Sequence, residues 1–370
     1  MNDLPKTMAA VVLTGHGGLD KLVYEAAWPR PEPGPGEVLI KVGACGMNNT
    51  DINTRIAWYS SAVTEGTTAK GGREGFTAIT GDDGGWGGGL NFPRIQGADV
   101  SGRVVALGEG APAALLGERV LIDTWLRDWD DPLNPEKFKY FGSERDGGFA
   151  QYTTAPASNV HAVKSDLTDA ALATFATSSI TAENMLNKAK VAAGDVVLIP
   201  GASGGVGSAL IQLVRRRGAI PIALCGESKA AAVKEIGAEA VLPRAPADLK
   251  AALQAAIGRS EVDVVADVVG GEVWPQLIGA LRRGGRYSCA GAIAGPIVAF
   301  DLRTFYLNDL VFTGATVIPP GLFADLVGYI ERGEVKPLLA GSWPLDQLRT
   351  AQEAFLEKKH VGNFVIVPPE

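Results

Sequence analysis

Short apolar runs separated by turn residues fill the first third of the chain. Residues 9–13, 37–42 and 102–107 are rich in β-branched side chains, and glycine and proline punctuate the stretches between them. Runs of this length and composition predict strands. One stretch breaks the rhythm: residues 60–91 are rich in glycine and threonine. They predict an insertion that is either a binding loop over a site or a surface excursion.

The rhythm changes between residues 166 and 299, where strand-like runs alternate with helical patterns. The buried run 196–200, for example, precedes a segment from 208 to 217 whose apolar residues recur with the period of a helix. This alternation predicts a parallel sheet with helices on both faces. Beyond it, the pattern predicts a strand at 311–313, helices at 323–332 and 345–357, and a last strand at 363–367.

A turn of small residues follows the run 196–200 and extends from Gly201 to Gly207. Glycine allows backbone N–H groups to approach a pyrophosphate closely, and the N-terminus of the following helix carries a partial positive charge. The turn therefore predicts a dinucleotide site. Its candidate contacts are Ser203, Gly204, Gly205, Val206 and Gly207.

Size and charge narrow the classes of protein and partner. A chain of 370 residues exceeds one comfortable core and predicts two domains. The net charge of −7 argues against nucleic acid or an anionic membrane as the main partner; the alternative interpretation is that the charge serves solubility alone. The partner expected is a small-molecule substrate. The 3 cysteines are scattered without paired spacing, and we find no targeting signal and no run long enough to cross a membrane. These features predict a cytoplasmic protein.

Several motifs, taken in order, resemble those of the medium-chain dehydrogenase/reductase superfamily. They are PGPGEVLIKV, GMNNTD, FPRIQGADVSGRVVALGEG, DGGFAQY, GASGGVG and the ending KKHVGNFVIV. The resemblance runs over nearly the whole chain and implies an α/β fold with two domains. A Rossmann domain with a doubly wound parallel sheet would occupy residues 166–309. A β-rich, GroES-like barrel domain carrying the catalytic site would occupy 1–165 and 310–370. The resemblance also implies a homodimer paired through the edge of the Rossmann sheet.

Two positions separate this chain from the zinc-dependent members of the family that it resembles. Those members place a cysteine before the TD or SD pair and a second ligand in a GHE motif, where this chain has Asn48 and Ala98. Thiolate and imidazole are the ligands that a catalytic zinc uses. Cys45 lies three residues too early and is predicted to be a core residue. We therefore expect no metal, and the chain resembles the zinc-free quinone oxidoreductases and enoyl reductases.

A zinc-free site favours one class of acceptor. Hydride addition to a quinone or an α,β-unsaturated carbonyl leaves a delocalised negative charge, which hydrogen-bond donors can stabilise without a metal. The enoyl reductase pattern NPSDIN…GxY maps onto residues 48–53 and Tyr59, with Ala57 in place of its glycine. The resemblance makes Tyr59 the candidate proton donor and Asn48 a contact for the nicotinamide or the substrate. The alternative for Tyr59 is an aromatic residue that supports its loop.

The choice between NADPH and NADH depends on the end of the second strand of the parallel sheet. In this fold an acidic residue about twenty positions after the glycines usually binds the ribose of NAD. That position is Gly226 here, which leaves room for a 2′-phosphate that Ser228, Lys229 and Arg244 could bind. The sequence therefore favours NADP(H) over NAD(H). Two alternatives stay open: Glu227 could be the ribose acid, and Ser228 could simply be a helix N-cap.

The resemblance carries over further cofactor contacts by position. Thr181 falls in the segment that contacts the nicotinamide half, and Val268 follows the fourth strand of the parallel sheet. Gly291 and Ala292 follow the fifth strand and are expected near the nicotinamide. The alternative for each is close packing at a strand end.

Three functions remain at this stage. The first is a zinc-independent, NADPH-dependent reductase of activated C=C bonds or quinones. The second is a zinc-free alcohol dehydrogenase or carbonyl reductase. The third is a non-enzymatic protein that binds a nucleotide for a structural or regulatory purpose.

Overall fold

The structure is a computed structural model that describes residues 4–76, 84–85 and 87–370, so residues 77–83 and 86 of the predicted insertion lie outside the described residues. The strands are β1 (Thr7–Leu13), β2 (Leu22–Pro29), β3 (Glu37–Met47), β4 (Arg94–Ile95), β5 (Asp99–Leu107), β6 (Arg119–Ile122), β7 (Trp125–Leu126), β8 (Lys139–Tyr140), β9 (Tyr152–Pro156), β10 (Val160–Ala162), β11 (Val196–Pro200), β12 (Ile220–Cys225), β13 (Ala240–Pro243), β14 (Val262–Asp267), β15 (Leu281–Cys289), β16 (Val311–Gly314), β17 (Leu339–Pro344) and β18 (Asn363–Val367). The α-helices are α1 (Asn49–Arg55), α2 (Ala69–Glu74), α3 (Asp169–Leu172), α4 (Ala176–Lys188), α5 (Gly205–Arg216), α6 (Ala230–Ile236), α7 (Leu249–Ile257), α8 (Trp274–Gly279), α9 (Leu302–Leu307), α10 (Leu322–Glu331) and α11 (Leu348–Leu356).

The β-rich part of the chain is built around β3. In its sheet the strands run in the order β10-β6-β5-β3-β18-β17, and β9 also pairs with β3. Buried residues such as Leu39, Ile40 and Val100 pack with Phe149 in one core. A separate sheet in the order β2-β1-β4 packs its apolar residues into the same core. β3 ends at Met47, and α1 follows directly, so the residues predicted to be catalytic start at the end of a central strand.

A parallel sheet in the order β13-β12-β11-β14-β15-β16 forms the second part. Alternate residues of β11 point to opposite faces: Val197 and Ile199 pack in the core that holds α4 and α5, and Val196 and Leu198 pack in the core that holds α7 and α8. The predicted Rossmann sheet with helices on both faces is therefore confirmed. The strand order reverses between β11 and β14, and ligands of such sheets bind outside the carboxyl ends of the strands at this point.

The segment after residue 310 does not lie where the sequence-based division put it. That division assigned everything from 310 onward to the barrel domain, but β16 pairs in parallel with β15 at the edge of the Rossmann sheet. α10 then buries Phe323 and Leu326 in the core that also holds Ile180 of α4. The chain returns to the barrel sheet only at β17 and β18. α10 lies against the Rossmann domain because it buries the apolar face of α4, which the parallel sheet alone leaves exposed.

Smaller differences concern element ends. In the alternating region, the apolar pattern predicts a helix over residues 273–281, but α8 ends at Gly279 and β15 begins at Leu281, where it pairs with Val262. Among the described residues, no helix combines the length and the apolar composition needed to cross a membrane. The three cysteines are unpaired, and Cys45 is fully buried in the barrel core, as its sequence position predicts.

Candidate active site

The glycine turn lies where the fold places a ligand, between the end of β11 and the start of α5. A Cβ at Gly207 would overlap the Gly201 carbonyl oxygen and come within 2.6 Å of Ala202 Cα. At Gly204 a Cβ would meet only the Gly201 oxygen, at an ordinary 3.6 Å. The turn is therefore tight at Gly207 and open at Gly204. With the N-terminus of α5 behind it, the turn fits the pyrophosphate of a dinucleotide.

The carboxyl ends of neighbouring strands gather beside this turn. A Cβ on Gly201 would lie 2.9 Å from Val269 Cγ2, and one on Gly291 would lie 3.2 Å from the Val268 carbonyl oxygen. A Cβ on Gly270 would lie 3.2 Å from Ala292 Cβ. The structure thus brings together the residues that the resemblance places around the nicotinamide.

The helix α4 borders the same turn. Ser178 Cβ lies 3.2 Å from the position of a Cβ on Gly205. Thr181 is half-buried on the same helix, one turn further on. Val206 lies in the first turn of α5 and packs partly against the core of α4 and α5. Gly205 is also enclosed by Asn363 Oδ1 at the start of β18, so a strand of the barrel domain touches the turn.

Cationic side chains converge on the end of β12, as the sequence predicts for Lys229 and Arg244. Lys229 Nζ lies 3.4 Å from Ser203 Oγ, and Arg244 Nη2 lies 3.3 Å from the position that a Cβ would take on Gly226. Ser228 is exposed and caps no helix, since α6 begins after Lys229. The N-cap alternative for Ser228 is therefore wrong. Ser228 remains a candidate contact for a phosphate, and Glu227 is exposed beside it.

Lys358 is a member of this group that sequence reasoning missed. Its Nζ donates to Asn49 Oδ1 at 2.7 Å, and its carbonyl oxygen accepts a hydrogen bond from Lys229 Nζ. Burial, reinforced by the charge of Lys229, lowers the pKa of Lys358 to about 7. Burial and the neighbouring Arg244 lower the pKa of Lys229 as well. The basic motif KKHVGN was the available signal, but only the fold shows that it reaches the cofactor turn.

The cations of this cluster lack acidic partners. No carboxylate within the described part of the chain forms an ion pair with Lys229, Arg244 or Lys358. The charge of Arg244 acts on Lys229, and the charge of Lys229 acts on Lys358, which raises the energy of these charged forms; a polyanion relieves that cost. We infer that the residues present fit the phosphates of a dinucleotide.

Buried carboxylates surround the position of the missing ligands. The Asp51 carboxylate accepts the Asn48 N–H at 2.7 Å and the Gly97 N–H at 3.3 Å. The Asp99 carboxylate accepts the Thr177 N–H at 2.9 Å and also the Thr177 hydroxyl. Burial raises the pKa of Asp51 to about 7, with a contribution from the charge of Asp99, and burial raises the pKa of Asp99 to about 6.

These residues do not fit a tetrahedral zinc ion. Asn48 is 9% exposed and Ala98 is 1% exposed, and they offer a carboxamide and a methyl group where zinc needs thiolate or imidazole. The nearby carboxylates are already engaged by N–H groups. Across residues 4–76, 84–85 and 87–370, no group of three or more His, Cys, Asp and Glu side chains could hold a metal ion. Burial raises the pKa of the Cys45 thiol well above its usual value, so this cysteine stays protonated.

Tyr59 lies beside α1, and its hydroxyl donates to Thr50 Oγ1 at 3.1 Å. The ring packs edge-on against Trp58, with centroids 5.6 Å apart. Burial raises the pKa of Tyr59, although the nearby polar side chains of Thr50 and Asn53 act to lower it. The phenol is therefore protonated at neutral pH, as a proton donor must be.

Tyr140 is a second tyrosine near this site that sequence reasoning did not select. Its hydroxyl lies 2.6 Å from Thr177 Oγ1, and its pKa is raised well above the usual value by burial and by the charge of Asp99. Tyr140 lies in β8, which pairs with β7, and Thr177 lies in α4, so no local pattern could have singled out this contact.

Comparisons with known proteins identify the class. Residues 34–165 match a family model described as "Alcohol dehydrogenase GroES-like domain", and residues 205–332 match one described as "Zinc-binding dehydrogenase". A crystal structure from Sinorhizobium meliloti 1021, provisionally described as an alcohol dehydrogenase, is 48% identical with a TM-score of 0.90 and covers 100% of this chain and 99% of that chain. The chain belongs to the medium-chain dehydrogenase/reductase superfamily.

More distant relatives carry other descriptions. The human synaptic vesicle membrane protein VAT-1 homolog is 26% identical over 98% of this chain and 86% of its own length. The quinone oxidoreductase of Rattus norvegicus is 25% identical over 98% of both chains. The comparisons support an oxidoreductase of this superfamily. Because the relatives carry different descriptions, the acceptor and the cofactor of this chain are inferred from its own residues.

Proposed function

We propose that this protein is a zinc-independent, NADPH-dependent reductase that transfers hydride to an activated C=C bond of an enone or enoyl compound, or to a quinone. The observation that carries the proposal is the donor set at the end of β3. Where a zinc-dependent member would hold a metal, Asn48 and Ala98 are buried. Tyr59, which is protonated, lies beside α1, the helix that follows β3.

The chemistry follows from where negative charge develops. When bound, the nicotinamide would supply a hydride to the electron-poor carbon of the acceptor. The charge left on a conjugated acceptor is spread over several atoms, so neutral hydrogen-bond donors are sufficient to stabilise it. Tyr59 would donate its phenolic proton to that enolate or phenolate, and Asn48 would orient the nicotinamide or the acceptor. Likeness to a quinone oxidoreductase supports this acceptor class.

A panel of acceptors tests the proposal. NADPH and NADH oxidation should be followed with quinones, enones, enoyl thioesters and simple ketones, together with metal analysis of the purified protein. We expect turnover of the conjugated acceptors, slow or no turnover of simple ketones, and less than stoichiometric zinc. Stoichiometric, tightly bound zinc would overturn the assignment. No turnover of any acceptor would favour a non-enzymatic nucleotide-binding role.

A second candidate is a zinc-free alcohol dehydrogenase or carbonyl reductase. It is favoured by the alcohol dehydrogenase description of the Sinorhizobium meliloti structure. In that case Tyr59 would protonate a localised alkoxide. The same panel separates the two candidates, because this one requires alcohol oxidation with NADP⁺ or NAD⁺ and no reduction of enones.

The preference for NADPH is part of the proposal and rests on the cations around Gly226. Replacing Lys229 with methionine keeps the apolar stem and removes the charge. Because a hydrogen bond to a charged group contributes about 1.5–3 kcal/mol, the Kd for NADPH should rise about tenfold to a hundredfold. The Kd for NADH should change far less. Calorimetric titration with 2′,5′-ADP and with ADP measures the effect without any turnover.

A matched control for this prediction is Lys234→Met. Lys234 is exposed on α6, and its ammonium group bonds only the Glu239 carbonyl oxygen among the described contacts. It should leave both affinities unchanged. Equal losses of 2′,5′-ADP and ADP binding in Lys229→Met would instead assign Lys229 to the pyrophosphate and leave the NADP preference unsupported.

The homodimer implied by the family is also a proposal. β16 is the edge of the parallel sheet, and one side of it pairs with β15. Leu302, Tyr306 and Val311 are exposed apolar side chains on α9 and β16. An unpaired strand with apolar neighbours is a template for pairing with a second strand, so this edge is the surface through which two copies would meet.

A further inference from the structure

Two loops at the carboxyl ends of β14 and β15 lie side by side next to the glycine turn. A backbone hydrogen bond joins them, since the Ala294 N–H donates to the Val269 carbonyl oxygen at 2.8 Å. We call these paired loops, residues 268–271 and 291–295, the double loop. It contains the residues that the superfamily resemblance places around the nicotinamide, so its shape decides how that half of the cofactor can bind.

The first of the two loops uses a backbone conformation that few residue types adopt. Gly270 has φ 62° and Gly271 has φ 68°, in the left-handed region that glycine tolerates best. A Cβ on Gly270 would lie 2.8 Å from the Gly295 carbonyl oxygen, and the Gly271 N–H donates to that same oxygen at 3.1 Å. Glycine reaches many other conformations at similar free energy, so the two glycines allow this shape without enforcing it. The shape must therefore be fixed by contacts from other residues.

Asp267 holds the start of this loop from the end of β14. Its Oδ1 atom accepts the Val269 N–H at 2.7 Å and the Gly270 N–H at 3.3 Å, and its Oδ2 atom lies 3.2 Å from the same Gly270 nitrogen. The side chain is fully buried, and burial raises the pKa of its carboxyl group. Because both oxygens accept N–H groups of the loop, the orientation of the carboxylate and the path of the loop are coupled.

Tyr287 and Trp274 hold the Asp267 carboxylate in place. The Trp274 Nε1–H donates to the Tyr287 hydroxyl oxygen at 2.9 Å, and that hydroxyl donates to Asp267 Oδ2 at 2.9 Å. An indole nitrogen can only donate, so the Tyr287 oxygen is the acceptor of the first bond and its own proton is directed to the carboxylate. Tyr287 and Trp274 are each 6% exposed, so water competes little for either bond.

We propose that Tyr287 is a positioning residue that acts through Asp267 to hold the double loop in the shape that receives the nicotinamide half of the cofactor. The inference rests on the proposed function, since it takes a nicotinamide dinucleotide as the ligand. Without the Tyr287 hydroxyl, the carboxylate loses a donor on Oδ2 and can turn away from the Val269 and Gly270 N–H groups.

The adenosine half of the cofactor should not depend on this chain of hydrogen bonds. The cations expected to bind its phosphate lie at the end of β12, where Lys229 Nζ is 3.4 Å from Ser203 Oγ. β11 separates β12 from β14 in the parallel sheet. A loss of loop shape should therefore weaken the binding of a whole dinucleotide and leave the binding of its adenosine half unchanged.

Replacing Tyr287 with phenylalanine tests the proposal, because the change removes only the hydroxyl. The Kd for NADPH should rise about tenfold, the effect of losing one hydrogen bond to a charged group. The Kd for 2′,5′-ADP, which lacks the nicotinamide half, should stay within about twofold of the wild type. NADH and ADP give the same comparison without the 2′-phosphate. Calorimetric titration measures all four affinities without any turnover.

Tyr329→Phe is the matched control, since it removes another tyrosine hydroxyl that bonds a buried carboxylate. The Tyr329 hydroxyl donates to Glu183 Oε1 at 3.4 Å, and Glu183 is 3% exposed on α4. This variant should lower the free energy of unfolding in urea without changing the ratio of the Kd values for NADPH and 2′,5′-ADP. A purely structural role of Tyr287 would give the same result in Tyr287→Phe.

Asp267→Asn is a second variant, which keeps the size of the side chain and replaces one accepting oxygen with an N–H donor. It should change the ratio of the two Kd values in the same direction as Tyr287→Phe. An unchanged ratio in the variants that urea denaturation shows to be folded would overturn the positioning role, even if the protein reduces enones. A changed ratio in a protein that turns over no acceptor would leave the positioning role standing and remove the proposed reductase function.

Discussion

Replacing Tyr59 with phenylalanine is expected to lower kcat for a conjugated acceptor about a hundredfold, the lower end of what a positioned general acid contributes. The phenylalanine ring keeps the edge-on contact with Trp58 and loses only the hydroxyl. Cofactor affinity should remain that of the wild type, because the hydroxyl bonds Thr50 and, among the described contacts, no residue of the glycine turn. Steady-state kinetics with saturating NADPH, together with direct NADPH binding, measure both quantities.

The control for Tyr59 is Tyr24→Phe, which removes the same hydroxyl from a tyrosine that is 41% exposed on β2. It should keep full activity. Wild-type kcat in Tyr59→Phe would assign Tyr59 to loop support, the alternative that the sequence leaves open. Tyr140, whose hydroxyl bonds Thr177, would then be the next donor to replace.

A methyl group at Gly207 is expected to lower the free energy of unfolding by about 1–3 kcal/mol, the usual cost of overpacking. Alanine is the better helix former by about 1 kcal/mol, so helix propensity alone predicts the opposite sign. The overlap wins because the new Cβ meets backbone atoms of Gly201 and Ala202, which cannot rotate away as a side chain can. The variant should also lose NADPH binding, because the first turn of α5 is displaced.

Gly204→Ala is the matched control in the same turn. Gly204 has φ −79° and ψ 174°, a conformation that alanine adopts without strain, and its Cβ would make only an ordinary contact. Its free energy of unfolding should stay within about 0.5 kcal/mol of the wild type. Urea denaturation of the two variants provides the comparison. If both variants lose the same stability, the tight packing at Gly207 is not what holds the turn.

Much of the fold could be predicted because it depends on local patterns. The run 196–200, the glycine turn and the helix after it each show their own periodicity, and alternation of such units implies a parallel sheet. The segment 311–331 could not be assigned correctly by this reasoning. A short strand looks the same in either sheet, and the apolar face of α4 that recruits α10 belongs to a helix over a hundred residues earlier.

The candidate site likewise combines residues that sequence motifs predict with contacts that only the fold reveals. Asn48 and Ala98 stand at motif positions, so the sequence itself predicts the lack of zinc ligands there. The contact of Asp99 with Thr177 and that of Lys358 with Lys229 join residues from distant segments. No spacing rule connects such pairs, because their distance depends on how the barrel sheet packs against the parallel sheet.

By itself, the sequence determined the superfamily, the Rossmann sheet, the glycine turn and the residue types at the positions of the missing ligands. These properties follow from periodicity and from local residue chemistry, which act over a few neighbours along the chain. Only the tertiary structure decided that Lys358 joins the cations at Gly226 and that β16 belongs to the parallel sheet. Each of these depends on burial and hydrogen bonding between segments that are far apart in the chain, and those interactions exist only after the chain has folded.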